Sequence, residues 1–200
     1  MGLGTVWFVG AGPGDPDLVT VKGRDLIARA GAILFAGSLV NEAATRWAPP
    51  GCLIADSKDM TLEQMSAWLI ANAARCDTVV RLQTGDPALY GTLIELVQPL
   101  DAAGVPVAVV PGVSSAMASA AAAIESFTLP EVTQTTIFTR VEGRTPMPDG
   151  ESWNCCAAPR NAVVMVSGMR SAATVRSTPA TASLSAMPGS SCVAIAFCCA

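Results

Sequence analysis

Short apolar runs at Thr5–Val9, Ala32–Phe35, Thr78–Leu82 and Val105–Val110, with a weaker one at Cys52–Ala55, punctuate the first 110 residues. Nearly all are apolar throughout rather than alternating, the pattern of parallel strands covered on both faces. Helical spacing fills the intervals. It is clearest over 62–75, where Thr61 and Gln64 form a capping box, Met60 can staple to Met65, and Leu62, Met65 and Leu69 share one face. This alternation predicts an α/β fold, an open parallel sheet with flanking helices, whose ligand crevice lies beyond the carboxyl ends of the strands.

The Gly- and Pro-rich segments fall at those ends. Gly10-Ala-Gly-Pro-Gly-Asp-Pro16 follows the first strand and Ala36-Gly-Ser-Leu-Val-Asn41 the second. Thr84-Gly-Asp-Pro-Ala-Leu-Tyr-Gly91 follows the 78–82 strand, and Pro111-Gly-Val-Ser-Ser115 the 105–110 strand. A dinucleotide fingerprint needs GxGxxG, whereas here the glycines stand at 10, 12 and 14, and Pro13 removes an N–H that a phosphate cradle would use. Read one at a time, these segments have structural explanations. Asp86 caps a helix over 88–100, Pro111-Gly112 turns the chain, and Ser114-Ser115 opens the next helix. Arg81, at the end of an apolar strand, either snorkels to solvent or holds an anionic ligand. Arg140, Glu142 and Arg144 form a solvated charged loop, or else the two guanidiniums grip a polycarboxylate.

Composition narrows the chemistry. Of the 200 residues 51% are apolar and 14% charged, which suits a buried sheet and not disorder. The formal charge of −4 argues against a nucleic-acid partner. Histidine is absent, so Ser-His and Cys-His nucleophiles and histidine-bearing metal sites are ruled out. Five of the seven cysteines lie beyond residue 154, without CxxC spacing; with no secretory signal they read as reduced thiols in a cytoplasmic protein. The uncharged stretches 102–124 and 177–200 are broken by prolines, so no membrane span is expected.

Taken together, the loops resemble a known family. Val9-Gly-Ala-Gly-Pro-Gly-Asp-Pro-Asp-Leu-Val-Thr-Val-Lys-Gly23, Val80-Arg-Leu-Gln-Thr-Gly-Asp-Pro-Ala-Leu-Tyr-Gly91 and Val110-Pro-Gly-Val-Ser-Ser115 resemble, in order, three signatures of the tetrapyrrole (corrin/porphyrin) methylase superfamily. Ala36–Asn41, Asp59-Met-Thr61, Leu129–Thr135 and Thr139–Pro148 resemble its precorrin-4 C11-methyltransferase branch. The resemblance covers about residues 5–152. It implies two α/β lobes, with S-adenosylmethionine bound between them as methyl donor, in a homodimer. Cofactor contacts then fall to Pro13, Thr84, Gly85, Asp86, Leu89, Ser114 and Ser115. Arg81, Arg140 and Arg144 fall to the carboxylates of a small tetrapyrrole substrate, methylated at C11 in cobalamin synthesis. The acid/base pair of the sirohaem-forming branch does not carry over, because its aspartate position is Gly37 and its lysine region lies near Asp56–Ser57. No metal is implied, and the catalytic residues are unassigned. Methyl transfer from a sulfonium asks mainly for alignment and exclusion of water.

The resemblance divides the chain into an N-terminal lobe at 1–112, the start of a second lobe at 113–152, and a divergent tail at 153–200. Past Ser152 no acidic residue occurs and the texture becomes rich in Ser, Cys and Ala. So abrupt a change is the mark of a shifted reading frame or of a truncated second lobe. Within the tail, Asn161–Val166 and Val193–Phe197 read as strands.

Overall fold

The computed structural model describes residues 2–37, 39–128, 130, 131, 134–140, 148, 161–167 and 194–198. They divide into two compact units, Met1–Ser114 and Ser115–Ala200.

The first unit is a five-stranded sheet in the order β3-β2-β4-β1-β5, formed by β1 (Thr5–Gly10), β2 (Ala32–Phe35), β3 (Leu53–Asp56), β4 (Thr78–Gln83) and β5 (Val107–Val110). Every pairing is parallel, and the register runs Phe8 opposite Arg81 and Leu34 opposite Arg81. Parallel strands must be joined by crossovers, and the helices α1 (Val21–Ile27), α2 (Leu62–Ala73) and α3 (Leu93–Ala102) lie in the connections from β1 to β2, β3 to β4 and β4 to β5. On one face Val9, Ile33, Phe35, Val80 and Leu82 bury against Leu26 and Ile27 of α1. On the other, Val6, Phe8, Leu34 and Val79 bury against Met65 and Leu69 of α2 and Leu96 and Leu100 of α3. With helices on both faces, the central strands have no polar side to spare, hence their largely apolar runs, interrupted within β4 by Arg81.

Element ends differ from expectation for local reasons. Pro106 has no N–H for the ladder, so β5 pairs from Val107, while the Val105 N–H closes the end of α3 on the Leu100 carbonyl at 2.9 Å. The capping box of α2 is present as expected: Thr61 Oγ1 accepts from Gln64 N, and Gln64 Oε1 from Thr61 N. Met60 packs on the cluster that holds Met65. Leu62, however, stays largely outside the core that Met65 and Leu69 enter. The helix expected from residue 88 begins only at Leu93, because 86–92 is spent in turns, with Tyr90 at φ 55°.

The second unit contains α4 (Ser115–Ala123) and a parallel sheet β6-β7-β8, formed by Thr135–Arg140, Asn161–Ser167 and Ala194–Cys198. The two strands expected in the tail are therefore found. Phe127 and Phe138 meet edge to face at 6.0 Å.

Candidate functional site

The carboxyl ends of β4, β1 and β5 lie side by side, so the loops after Gln83, Gly10 and Val110 share one sheet edge. Backbone holds them together. Gly85 N donates to Gly12 O at 2.8 Å, and Ala11 N to Gln83 O at 2.7 Å. A Cβ on Gly112 would stand 2.1 Å from Gly85 O and 2.7 Å from Gly10 Cα, so three main chains touch where no side chain fits. Gly12 and Gly85 also take φ of 76° and 59°, which L side chains resist.

Asp86 clamps this arrangement. Its Oδ1 accepts from Ala88 N at 2.8 Å and its Oδ2 from Gly112 N at 2.9 Å, across 26 positions of chain. It thus caps the turn and latches a second loop, whereas α3 takes Thr92 at its N-cap position. The helix-cap expectation is corrected accordingly. Pro13, Thr84 and Leu89 are half-buried around this edge, Gly85 is buried, and Ser114 Oγ is enclosed with no hydrogen-bond partner among the described residues. Ser115 begins α4 in the second unit.

Sequence reasoning missed Gln83. It is 5% exposed, donates from Nε2 to Thr92 Oγ1 at 3.3 Å, and leaves Oε1 without a partner among the described residues. A polar residue closing an apolar run at the carboxyl end was the available signal.

Loops 10–16, 84–91 and 111–114 contain no Lys or Arg and two aspartates, Asp15 and Asp86. Backbone-lined, free of basic groups and carrying orphaned polar atoms, this edge fits a cationic ligand with several hydrogen-bonding groups better than a phosphate ester.

Arg81 is not at the strand end, because β4 runs on to Gln83. The guanidinium does not snorkel: it points among the α2-side residues and is 3% exposed. Nη1 donates to Ser57 Oγ at 2.8 Å and Leu34 O at 3.4 Å, and Nη2 lies 3.6 Å from Met65 Sδ. Burial pushes its pKa down to about 10, against the opposing pull of the nearby Asp56 carboxylate. Arg140 closes β6, while Arg144 lies outside the described residues, as do Ser38, Leu129, Val132, Thr133 and most of 141–160.

The sequence pattern of the tetrapyrrole (corrin/porphyrin) methylases matches residues 5–196. The chain belongs to that family. The match runs past residue 152, where the resemblance was expected to stop. Among methylase relatives, the cobalt-precorrin-4 C(11)-methyltransferase of Priestia megaterium is 44% identical over 146 residues, 73% of this chain and 57% of the relative. A solved cobalt precorrin-4 methyltransferase of cobalamin biosynthesis is 43% identical with a TM-score of 0.72, covering 76% of this chain and 63% of its own. The uroporphyrin-III C-methyl transferase of Thermus thermophilus, solved with S-adenosyl homocysteine, is 32% identical with a TM-score of 0.57, covering 68% and 55%. The chain therefore spans less than two thirds of the length of these methylases. Among the described residues, no helix is long and apolar enough to cross a membrane, and no group of three or more acidic or cysteine side chains could hold a metal.

Proposed function

We propose that the chain is an S-adenosylmethionine-dependent methyltransferase of cobalamin synthesis, acting at C11 of precorrin-4 or its cobalt form. The observation that carries this reading is the 43–44% identity to methylases named for precorrin-4, against 32% for one named for uroporphyrin-III. We read it as a cytoplasmic homodimer whose lobes begin near residues 1 and 113, and whose reaction calls on no metal.

When bound, S-adenosylmethionine supplies a methyl group already activated on a positive sulfur. The residues we assign to holding it are Pro13, Thr84, Gly85, Asp86, Leu89, Ser114 and Ser115. Asp86 keeps the 84–91 and 111–114 loops in register, and the touching glycines bring main-chain groups to the ligand's edge. Two aspartates and no bases in these loops favour a cation. Arg140 and Arg144 are assigned to substrate carboxylates, and Arg81 acts on the substrate from within the protein. The ring carbon is itself the nucleophile, so the protein chiefly aligns the groups and excludes water.

The test is calorimetric binding of S-adenosylhomocysteine, together with its release during incubation with precorrin-4, cobalt-precorrin-4, precorrin-2 and precorrin-3B. Turnover of a precorrin-4 form alone is expected. Asp86→Ala, which cuts both latching bonds, should weaken S-adenosylhomocysteine by about 1–3 kcal/mol. Equal turnover of precorrin-2 would assign the chain to a sister reaction.

A further inference from the structure

Resting on that reading, we propose that Asp56 is the group that meets the tetrapyrrole ring itself, accepting a hydrogen bond from a ring N–H where positive charge develops during methylation. Asp56 ends β3, next to β2 at the same sheet edge, and its side chain is exposed. Oδ1 is fixed by Gly37 N at 2.8 Å and Lys58 N at 2.9 Å. Among the described residues, Oδ2 takes no hydrogen bond. The carboxylate occupies the place of a side chain at residue 37, since a Cβ there would lie 2.1 Å from Oδ2. It opens on a hollow of about 490 Å³ lined by Asp56, Lys58, Asp59, Met60 and Gln64.

Beneath it sits a charge that the fold alone does not explain. Arg81 is buried without an ion pair among the described residues, and its Nε has no partner there. Ser57 binds it through Oγ and in turn donates to Phe35 O at 3.1 Å, tying the residue after Asp56 to the end of β2 and to Arg81 within β4. A buried cation kept behind an aimed carboxylate is the arrangement of a site more than of a core. Asp56 and Asp59 outweigh Lys58 at this rim, and the net negative charge disfavours the acidic periphery of a tetrapyrrole. The two carboxylates favour its hydrogen-bond donors, the pyrrole N–H groups. As the ring carbon bonds to the methyl carbon, the methyl–sulfur bond breaks with its electron pair going to sulfur. The ring is left with a positive charge shared by its nitrogens, and a fixed carboxylate stabilises that charge. Asp56 is thus a catalytic residue, and Arg81 a positioning residue acting through Ser57.

The experiment compares the chain with Asp56→Asn and Gly37→Ala. The alanine keeps the carboxylate but displaces it, since its Cβ would meet the Asp56 carboxylate and no backbone atom among its three nearest contacts. Binding of uroporphyrin III is followed by fluorescence quenching, S-adenosylhomocysteine binding by calorimetry, and methyl transfer to precorrin-4 by kcat and KM. Both variants should bind S-adenosylhomocysteine within twofold of the parent and the porphyrin at least tenfold more weakly. For Asp56→Asn, kcat should fall by about 100-fold, more than KM rises. Porphyrin binding unchanged in Asp56→Asn overturns the assignment of Asp56 and leaves the methyltransferase reading standing. Failure of the parent chain to bind porphyrin while it binds S-adenosylhomocysteine overturns both.

Discussion

Arg81 buries a charge at a cost to stability that the role proposed for it would explain. A base whose pKa is lowered to about 10 binds its proton less firmly folded than unfolded. The cost, about 3 kcal/mol from the size of the shift, is therefore present in full below about pH 10 and is relieved between there and the ordinary arginine value. Arg81→Met fills similar volume without charge, and Ser57 keeps its bond to Phe35 O. Urea unfolding at pH 7 should then show stability unchanged or raised by up to about 2 kcal/mol, with weaker tetrapyrrole binding. A loss of more than about 2 kcal/mol would make Arg81 a structural anchor instead. Burial parity explains why the sequence misled here. Along β4, residues 79 and 81 share the α2 face, and one further residue of strand, Gln83, moves the guanidinium inside.

Among the elements, the loops are constrained more tightly than the helices. Gly112→Ala would drive a Cβ against Gly85 O and Gly10 Cα, both backbone, so neither can yield without moving a strand end. We expect a loss of about 2–4 kcal/mol in thermal or urea unfolding and a loss of S-adenosylhomocysteine binding. Gly14→Ala, where a Cβ meets nothing within 4 Å, tests φ alone and should cost less. Strands were legible because sheets covered on both faces write themselves as apolar runs, as at Ala32–Phe35, which matched residue for residue. Where backbone chemistry intervened they were not. Pro106 delayed β5, and the bonds from Asp86 to Ala88 and Gly112 diverted the expected start of α3 into turns. The three loops at the ends of β1, β4 and β5 could be seen as motifs, but the bond between Asp86 and Gly112 links residues whose proximity only the strand order creates. In the sequence Asp56 marks only the region of the sirohaem branch's lysine, because a carboxylate after a weak strand looks like an ordinary turn residue.

At the scale of the whole molecule, the position of each strand in the sheet should grade its protection. β4 and β1 are flanked on both sides, whereas β3 and β5 are edges whose Leu53, Ile54 and Val109 remain exposed. Native-state hydrogen exchange should therefore find the slowest amides in β1 and β4, and those of β3 at least tenfold faster. S-adenosylhomocysteine should slow the amides of 84–91 and 111–114 most if these loops hold it. The same strand order has a consequence during synthesis. β1 is made first, yet both of its partners come later: Thr5 pairs with Thr78, and Val6 with Val107. Until β5 leaves the ribosome, Val6, Trp7 and Phe8 have an open flank, and little can be gained by pairing locally. High contact order of this kind slows folding and lengthens the time for which a strand can find the wrong partner. Refolding from urea should accordingly be slow for a domain of this size, and yield should depend on protein concentration, because the waiting strand can be captured by a neighbour's edge.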